Sequence, residues 1–180
     1  TDPSVLAMVG IASLSTGDLE TGEALLEKSL SLAPENQNLR LRYVRYLLAR
    51  NQTDKAFEQL GILSEQNPDS TPVKSLRVQA HLVSGERQKA IEVANQWLSE
   101  NPDDITAIMT RGEIAAQEGN YDEAAQLFEK ASSLDDDNPA PRVALGRLAL
   151  SQDKPEAAKQ QFRQAANLSP DNMQALQGLS

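Results

Sequence analysis

Gly119-Asn120-Tyr121-Asp122-Glu123-Ala124-Ala125-Gln126-Leu127-Phe128-Glu129-Lys130-Ala131 opens on a pair suited to a tight turn, since glycine accepts a positive φ without steric cost. A helix is predicted to follow, because acidic residues crowd its first turn, where the macrodipole favours negative charge. Ala124, Phe128 and Ala131 stand at i, i+4 and i+7 and so share one helix face. That face reads small, large, small. It fits a helix lying very close to a neighbour on either side of one bulky anchor.

The pattern returns every 34 residues. One interval before Gly119, Ala124, Phe128 and Ala131 stand Gly85, Ala90, Ala94 and Trp97. Two intervals before stand Asn51, Ala56, Leu60 and Leu63, and three before, Gly17, Gly22, Leu26 and Ser29. One interval after come Asp153, Ala158, Phe162 and Ala165. Prolines keep the same beat at Pro34, Pro68, Pro102 and Pro170, with Asp136 at the remaining place. A constant period without insertion or deletion is the signature of a repeat array. The chain divides into five units, 3–36, 37–70, 71–104, 105–138 and 139–172, with a partial sixth at 173–180.

Composition agrees. Apolar residues make up 39% of the chain and aromatic ones only 4%, so a core built from Ala, Leu and Val is expected. The absence of cysteine excludes a disulfide framework and thiol catalysis. A net charge of −9 argues against nucleic acid as partner, because that affinity rests on basic neutralisation of phosphates. No apolar run approaches the ~20 residues that span a bilayer, so direct membrane insertion of this segment is not expected. The chain begins Thr1-Asp2-Pro3, without initiator methionine or signal-peptide core, and Met173 to Ser180 make two turns of a helix that then stops. It is therefore read as a piece of a longer protein.

Each unit reads as helix, turn, helix. Pro3 can start the first helix, its missing N–H being one that would lack a partner anyway; Leu6, Val9, Gly10 and Ser13 form its predicted inner face. Matching residues are Arg40, Tyr43, Val44 and Leu47 in the second unit, Lys74, Arg77, Val78 and His81 in the third, Ile108, Arg111, Gly112 and Ala115 in the fourth, and Arg142, Leu145, Gly146 and Ala149 in the fifth. Gly61 interrupts a second helix at a cost of about 1 kcal/mol against alanine, for which close backbone approach is the expected reason.

A 34-residue helix–turn–helix unit with Gly112 or Gly146 in its first helix, Tyr121 after the turn, then Ala124, Phe128, Ala131 and a closing proline resembles the tetratricopeptide repeat (TPR). The resemblance covers residues 3–172. Val44 and Val78 depart from its small first-helix residue, Leu63 and Trp97 from its second alanine, and Arg77 and Arg111 stand where the family usually has leucine. It implies an all-α fold, a right-handed α–α superhelix whose concave wall is lined by the first helices, and a non-catalytic role in binding proteins.

The face opposite the inner one follows from spacing: Ala7, Ile11 and Leu14; Leu41, Arg45 and Leu48; Ser75, Gln79 and Leu82; Met109, Glu113 and Ala116; Val143, Arg147 and Leu150. Stacked units would align Leu14, Leu48, Leu82, Ala116 and Leu150 as an apolar rail beside a mainly polar row of Ile11, Arg45, Gln79, Glu113 and Arg147, with Arg42 adjacent. Two readings are open. The rail seals neighbouring first helices together, as repeats must bury a continuous core; or it floors a peptide groove in which Arg42, Arg45 and Arg147 orient an acidic segment or a C-terminal carboxylate. The candidate binding residues are thus Arg42, Arg45, Leu48, Gln79, Leu82, Met109, Glu113, Arg147 and Leu150. The carboxylate clamp of TPR co-chaperones is not among them: Ala7, Ile11, Arg42, Pro72 and Leu76 hold the corresponding places.

Other chemistry is sparse. His81, the one histidine, falls at a helix-packing position, and without cysteine it cannot assemble a zinc site of the usual kind. Asp135-Asp136-Asp137-Asn138 lacks the glycine and distal glutamate of a calcium loop and reads as a solvated connector. No phosphate loop or nucleophile elbow is present, so neither cofactor nor metal nor catalysis is expected. The Ala/Leu/Gln-rich units with Arg in the first helix, as in Leu39-Arg40-Leu41-Arg42, are also similar in style to the bacterial TPR lipoproteins that accompany exosortase (PEP-CTERM) sorting and exopolysaccharide export. That resemblance implies the periplasm or cell envelope and an export or sorting assembly. An architectural spacer or self-association through exposed repeat ends is the alternative, and an enzymatic role would require a catalytic domain elsewhere in a longer chain.

Overall fold

The sequence period becomes a period of helix starts. The computed structural model describes residues 2–179. Its helices are α1 (Pro3–Thr16), α2 (Leu19–Leu32), α3 (Gln37–Ala49), α4 (Thr53–Gln66), α5 (Thr71–Val83), α6 (Arg87–Glu100), α7 (Ile105–Gln117), α8 (Tyr121–Leu134), α9 (Pro139–Ser151), α10 (Pro155–Leu168) and α11 (Met173–Leu179), and no strand occurs among the described residues. First helices begin at 3, 37, 71, 105, 139 and 173, and second helices at 19, 53, 87, 121 and 155. By packing the chain divides into two halves, Thr1–Ala90 and Ile91–Ser180, with the boundary inside α6.

Local chemistry sets these boundaries. The side chains of Asp2, Asn36, Asp104, Asn138 and Asn172 each accept a backbone N–H from the first turn of the helix that follows, at 2.8–3.2 Å, satisfying donors a helix start leaves orphaned. The connector residue Asn138 is one of these caps. At the other end of each first helix the backbone turns left-handed at Gly17, Asn51, Gly85, Gly119 and Asp153. The amide after it reaches back into the last turn, Asp18 to the Ser13 carbonyl at 2.9 Å and Asn120 to the Ala115 carbonyl at 2.9 Å, which is the Schellman closure of a helix. Asn and Asp stand in for glycine at two of the five turns, being the side chains that tolerate this conformation best.

Inside each hairpin the small–large–small face is the packing face. Ala124, Phe128 and Ala131 are buried, as are Ala158, Phe162 and Ala165, and likewise Ala56, Leu60 and Leu63 in the first half. Phe128 lies over Gly112, where a Cβ would meet its ring at 2.5 Å, and Phe162 over Gly146 at 2.6 Å. Where the first helix of the second unit carries valine instead, at Val44, the residue at the phenylalanine place is the smaller Leu60, and both are buried. Trp97, at the second-alanine place, is buried as well.

Two expectations are corrected. A Cβ on Gly61 would meet nothing within 4 Å, so close approach does not explain that glycine. Val9, assigned to the inner face of α1, is 47% exposed, whereas its counterparts Tyr43, Arg111 and Leu145 are buried. Those three lie against a preceding second helix: Tyr43 bonds Glu27 of α2, Arg111 bonds Asn95 of α6, and Leu145 packs with Phe128 of α8. No such helix covers α1 among the described residues.

Candidate functional site

In the first half, α3 buries Leu39, Arg40, Tyr43, Val44, Leu47 and Leu48, and this register leaves Arg42 and Arg45 exposed at i, i+3. Neither guanidinium has a hydrogen-bond or ion-pair partner among the described residues. Both line a recess of about 750 Å³ between α1 and α3, whose other wall carries Ser4, Ala7, Met8 and Ile11; Met8 is 71% exposed. A second recess of about 310 Å³ adjoins it, lined by Ile11, Leu14, Leu26, Arg42, Tyr43 and Tyr46.

The tyrosine wall is held in place. Tyr43 and Tyr46 stack with centroids 6.3 Å apart. The Tyr43 hydroxyl donates to Glu27 at 2.8 Å, and that of Tyr46 to Glu23 at 3.1 Å. Gln52 and Lys55 also donate to Glu23, each at 3.0 Å. Burial alone would raise the Glu23 carboxyl, but the donors from Lys55, Gln52 and Tyr46 outweigh it and hold its pKa below the usual value. Burial, then the Glu27 carboxylate, push the Tyr43 hydroxyl well up, so it stays a donor.

The remaining candidates in this half differ in environment. Leu48 is packed in the hydrophobic core. On α5, Gln79 is exposed and Leu82 half-buried. His81 packs its ring on Phe57 at 4.7 Å and its Nδ1 lies 2.9 Å from Glu86, at the turn into α6.

In the second half, Met109 packs beside the cluster of Ala115, Ala124, Phe128, Leu145 and Leu148, and Leu150 is 50% exposed. Glu113 on α7 and Arg147 on α9 are exposed and line one recess of about 430 Å³. Desolvation by the surrounding walls raises the Glu113 carboxyl, and Arg147 partly opposes the shift. The side chain still reaches water. It sits in a hollow that crowds it from several sides.

Five further arginines are accounted for structurally or lie elsewhere. Arg40, 4% exposed, donates to Gln59 and to the Pro34 carbonyl. Arg77 donates to Ser64 at 2.7 Å. Arg111 donates to Asn95 at 2.8 Å and pairs with Glu123 at 2.7 Å. Arg142 donates to Gln161 at 3.4 Å, and Arg50, through its backbone N–H, closes the end of α3. The arginines placed at family leucine positions are thus struts to the preceding second helix.

Sequence reasoning missed Met8, Tyr46, Gln117 and Ser151 as recess residues. The signal was present in the period. The second-half recess repeats the smaller first-half recess three intervals later: Ile11, Leu14, Leu26 and Tyr46 have Glu113, Ala116, Phe128 and Leu148 as counterparts.

Comparison with known proteins follows the same repeat. A family model described as tetratricopeptide repeat matches residues 13–80 and 115–180, and a second of the same description matches 75–139. No curated protein matches by sequence. Among solved structures, the chain is similar to TTC0263, a thermophilic TPR protein of Thermus thermophilus, with 20% identity, TM-score 0.73 and coverage of 97% of this chain and 95% of that one. It is similar to yeast Tom70 at 19% identity and TM-score 0.74, over 99% of this chain and 38% of that one. YrrB, described as a TPR protein with an unusual peptide-binding site, matches at 17% identity and TM-score 0.59, over 96% and 89%.

Proposed function

We propose, since the chain belongs to the tetratricopeptide repeat family, that it is a non-catalytic scaffold holding a segment of another protein on its first-helix faces. The observation that carries this reading is the pair Arg42 and Arg45, two guanidiniums without partners above a recess with an apolar wall. Such a pair suits planar, bidentate recognition of a carboxylate, and the recess beside it suits an apolar neighbour in the same segment. The segment we infer is therefore acidic, or ends in its own carboxylate. The peptide-binding site named for YrrB lends support at the level of fold.

The test is an array of immobilised peptides in acidic, neutral and basic sets, probed with the wild-type chain and with Arg42→Glu/Arg45→Glu. The acidic set should bind the wild type and lose the variant, with helical circular dichroism unchanged. Equal binding by the two proteins would refute the assignment. A place in a bacterial envelope export or sorting assembly is the finer proposal; it rests on compositional style, and fractionation of the producing cell tests it. Self-association is the second reading, favoured by exposed apolar residues on the terminal helices, Val5, Met8 and Val9 on α1 and Met173 and Leu176 on α11. Concentration-dependent sedimentation would support it.

A further inference from the structure

The period puts one recess at the same place in both halves, and the residues lining it differ in kind. Glu113 stands where the first half has Ile11, Gln117 where it has Ser15, and Ala144 where it has Arg42. Small residues at Ala116 and Ala144 widen the hollow to about 430 Å³, against about 310 Å³ for the first. Phe128, itself 2% exposed, and Leu148 give it apolar walls.

Two of its four polar side chains, Glu113 and Ser151, are left as acceptors. Glu113 has no hydrogen-bond or ion-pair partner among the described residues. The Ser151 hydroxyl has already given its proton to the Leu148 carbonyl at 2.7 Å, which leaves its oxygen to accept. Gln117 adds an amide that can donate or accept. Arg147 is the one basic side chain lining the hollow; it is exposed and outside ion-pair distance of Glu113, and its charge offsets only part of the burial that raises the Glu113 carboxyl.

We infer that the recess between α7 and α9 receives the cationic side chain of a lysine or arginine from a bound protein segment, its aliphatic stem against Phe128 and Leu148 and its charged head on Glu113. The inference rests on the scaffold reading and deepens it, adding a basic contact to the acidic one. The alternatives fit worse. An apolar side chain would strip the remaining water from an unpaired carboxylate, and an acidic one would meet like charge. The raised pKa of Glu113 agrees with this: desolvation raises it, and the opposing charge of Arg147 does not make up the difference.

The experiment follows backbone amide NMR signals of the whole chain during titration with three separate probes: the N-acetyl, N-methylamide derivatives of lysine, norleucine and glutamate. The lysine probe should shift the Ala116, Gln117, Leu148 and Ser151 amides saturably, and norleucine should not. Glu113→Gln, a conservative change at an exposed position, should weaken the lysine probe about tenfold or more, the effect of losing one charge-assisted contact. Equal shifts from lysine and norleucine, no shift from lysine, or unchanged affinity in Glu113→Gln would each overturn the inference. The glutamate probe reads the other site separately, through the amides of Ile11, Arg42 and Arg45. Its failure alone would count against the acidic contact in the first half and leave the basic one standing.

Discussion

Gly112 and Phe128 make a sensitive test of the packing that defines each hairpin. In Gly112→Val, the new Cβ would lie 2.5 Å from the Phe128 Cε1 and 2.9 Å from Cδ1. Carbon atoms prefer about 3.5–4.0 Å, so the ring would have to retreat by about 1 Å before the two valine methyls are considered. Retreat is restricted, because Phe128 is 2% exposed and Ala124 and Ala131 on the same face are fully buried, which leaves only the side that borders the recess. Overpacking of this kind costs about 1–3 kcal/mol, against which the better helix propensity of valine returns only a few tenths. Phe128→Leu alone leaves a void and costs about 1–2 kcal/mol. The double variant reproduces the pair that the second unit uses natively, Val44 with Leu60, both with no exposed surface. It should therefore recover to within about 1 kcal/mol of the wild type, giving a coupling energy of about 2 kcal/mol. The assay is urea unfolding of the four proteins, followed by helical circular dichroism and by the fluorescence of the single tryptophan, Trp97. Coincidence of the two signals licenses a single free energy. Additive effects, with coupling under about 0.5 kcal/mol, would refute the claim that these two positions fill one space.

Two glycine-to-alanine changes should differ in sign: Gly61→Ala, in open space within α4, should stabilise by about 1 kcal/mol, and Gly119→Ala, at φ 79, should destabilise by about 1 kcal/mol; thermal melts of both check this. Glu86 accepts from Lys89 and meets His81, which hold its carboxyl down at about 2 from 4.5. Its contribution is therefore present above pH 4.5 and lost as pH falls toward 2, and Glu86→Gln should flatten that acid limb of the stability curve measured in urea. The opposite sign holds for Glu113, whose carboxyl is raised. Its unfavourable contribution grows as pH rises through the ordinary carboxylate range. Glu113→Gln should therefore be at least as stable as wild type at neutral pH and gain nothing below about pH 4.

Much of the fold was legible because the period fixes both helix starts and packing partners. Ala124, Phe128 and Ala131 could be placed on one buried face from spacing alone, and the left-handed turn at Gly119 from its residue type. What spacing could not supply was the neighbour. Val9 has the same place in its unit as the buried Tyr43, yet is half exposed, because burial there depends on a preceding second helix. Gly61 looked like a close-approach glycine by the logic that holds for Gly112, and only the distances separate them. Arg77 and Arg111 read as disturbances of the inner packing; Asn95 holds the place that Glu27 holds for Tyr43, two intervals on, but Ser64 and Glu123 have no such counterpart and had to be seen.

The arginines of α3 show how one helix divides a residue type between structure and recognition. Arg40, Arg42 and Arg45 lie close together in sequence, yet successive residues turn by about 100° around the axis, and Arg40 alone falls on the buried stripe with Leu39, Tyr43 and Val44. There it commits its donors to Gln59 and the Pro34 carbonyl, joining α3 to α4 and to the connector before it. Arg42 and Arg45 come round to the exposed side with no internal acceptor among the described residues. A guanidinium stays charged at any physiological pH, so the acceptor these two meet must come from water or from another molecule. In the second half the corresponding recess carries both signs, the carboxylate of Glu113 and the guanidinium of Arg147. The backbone repeats and the charge does not.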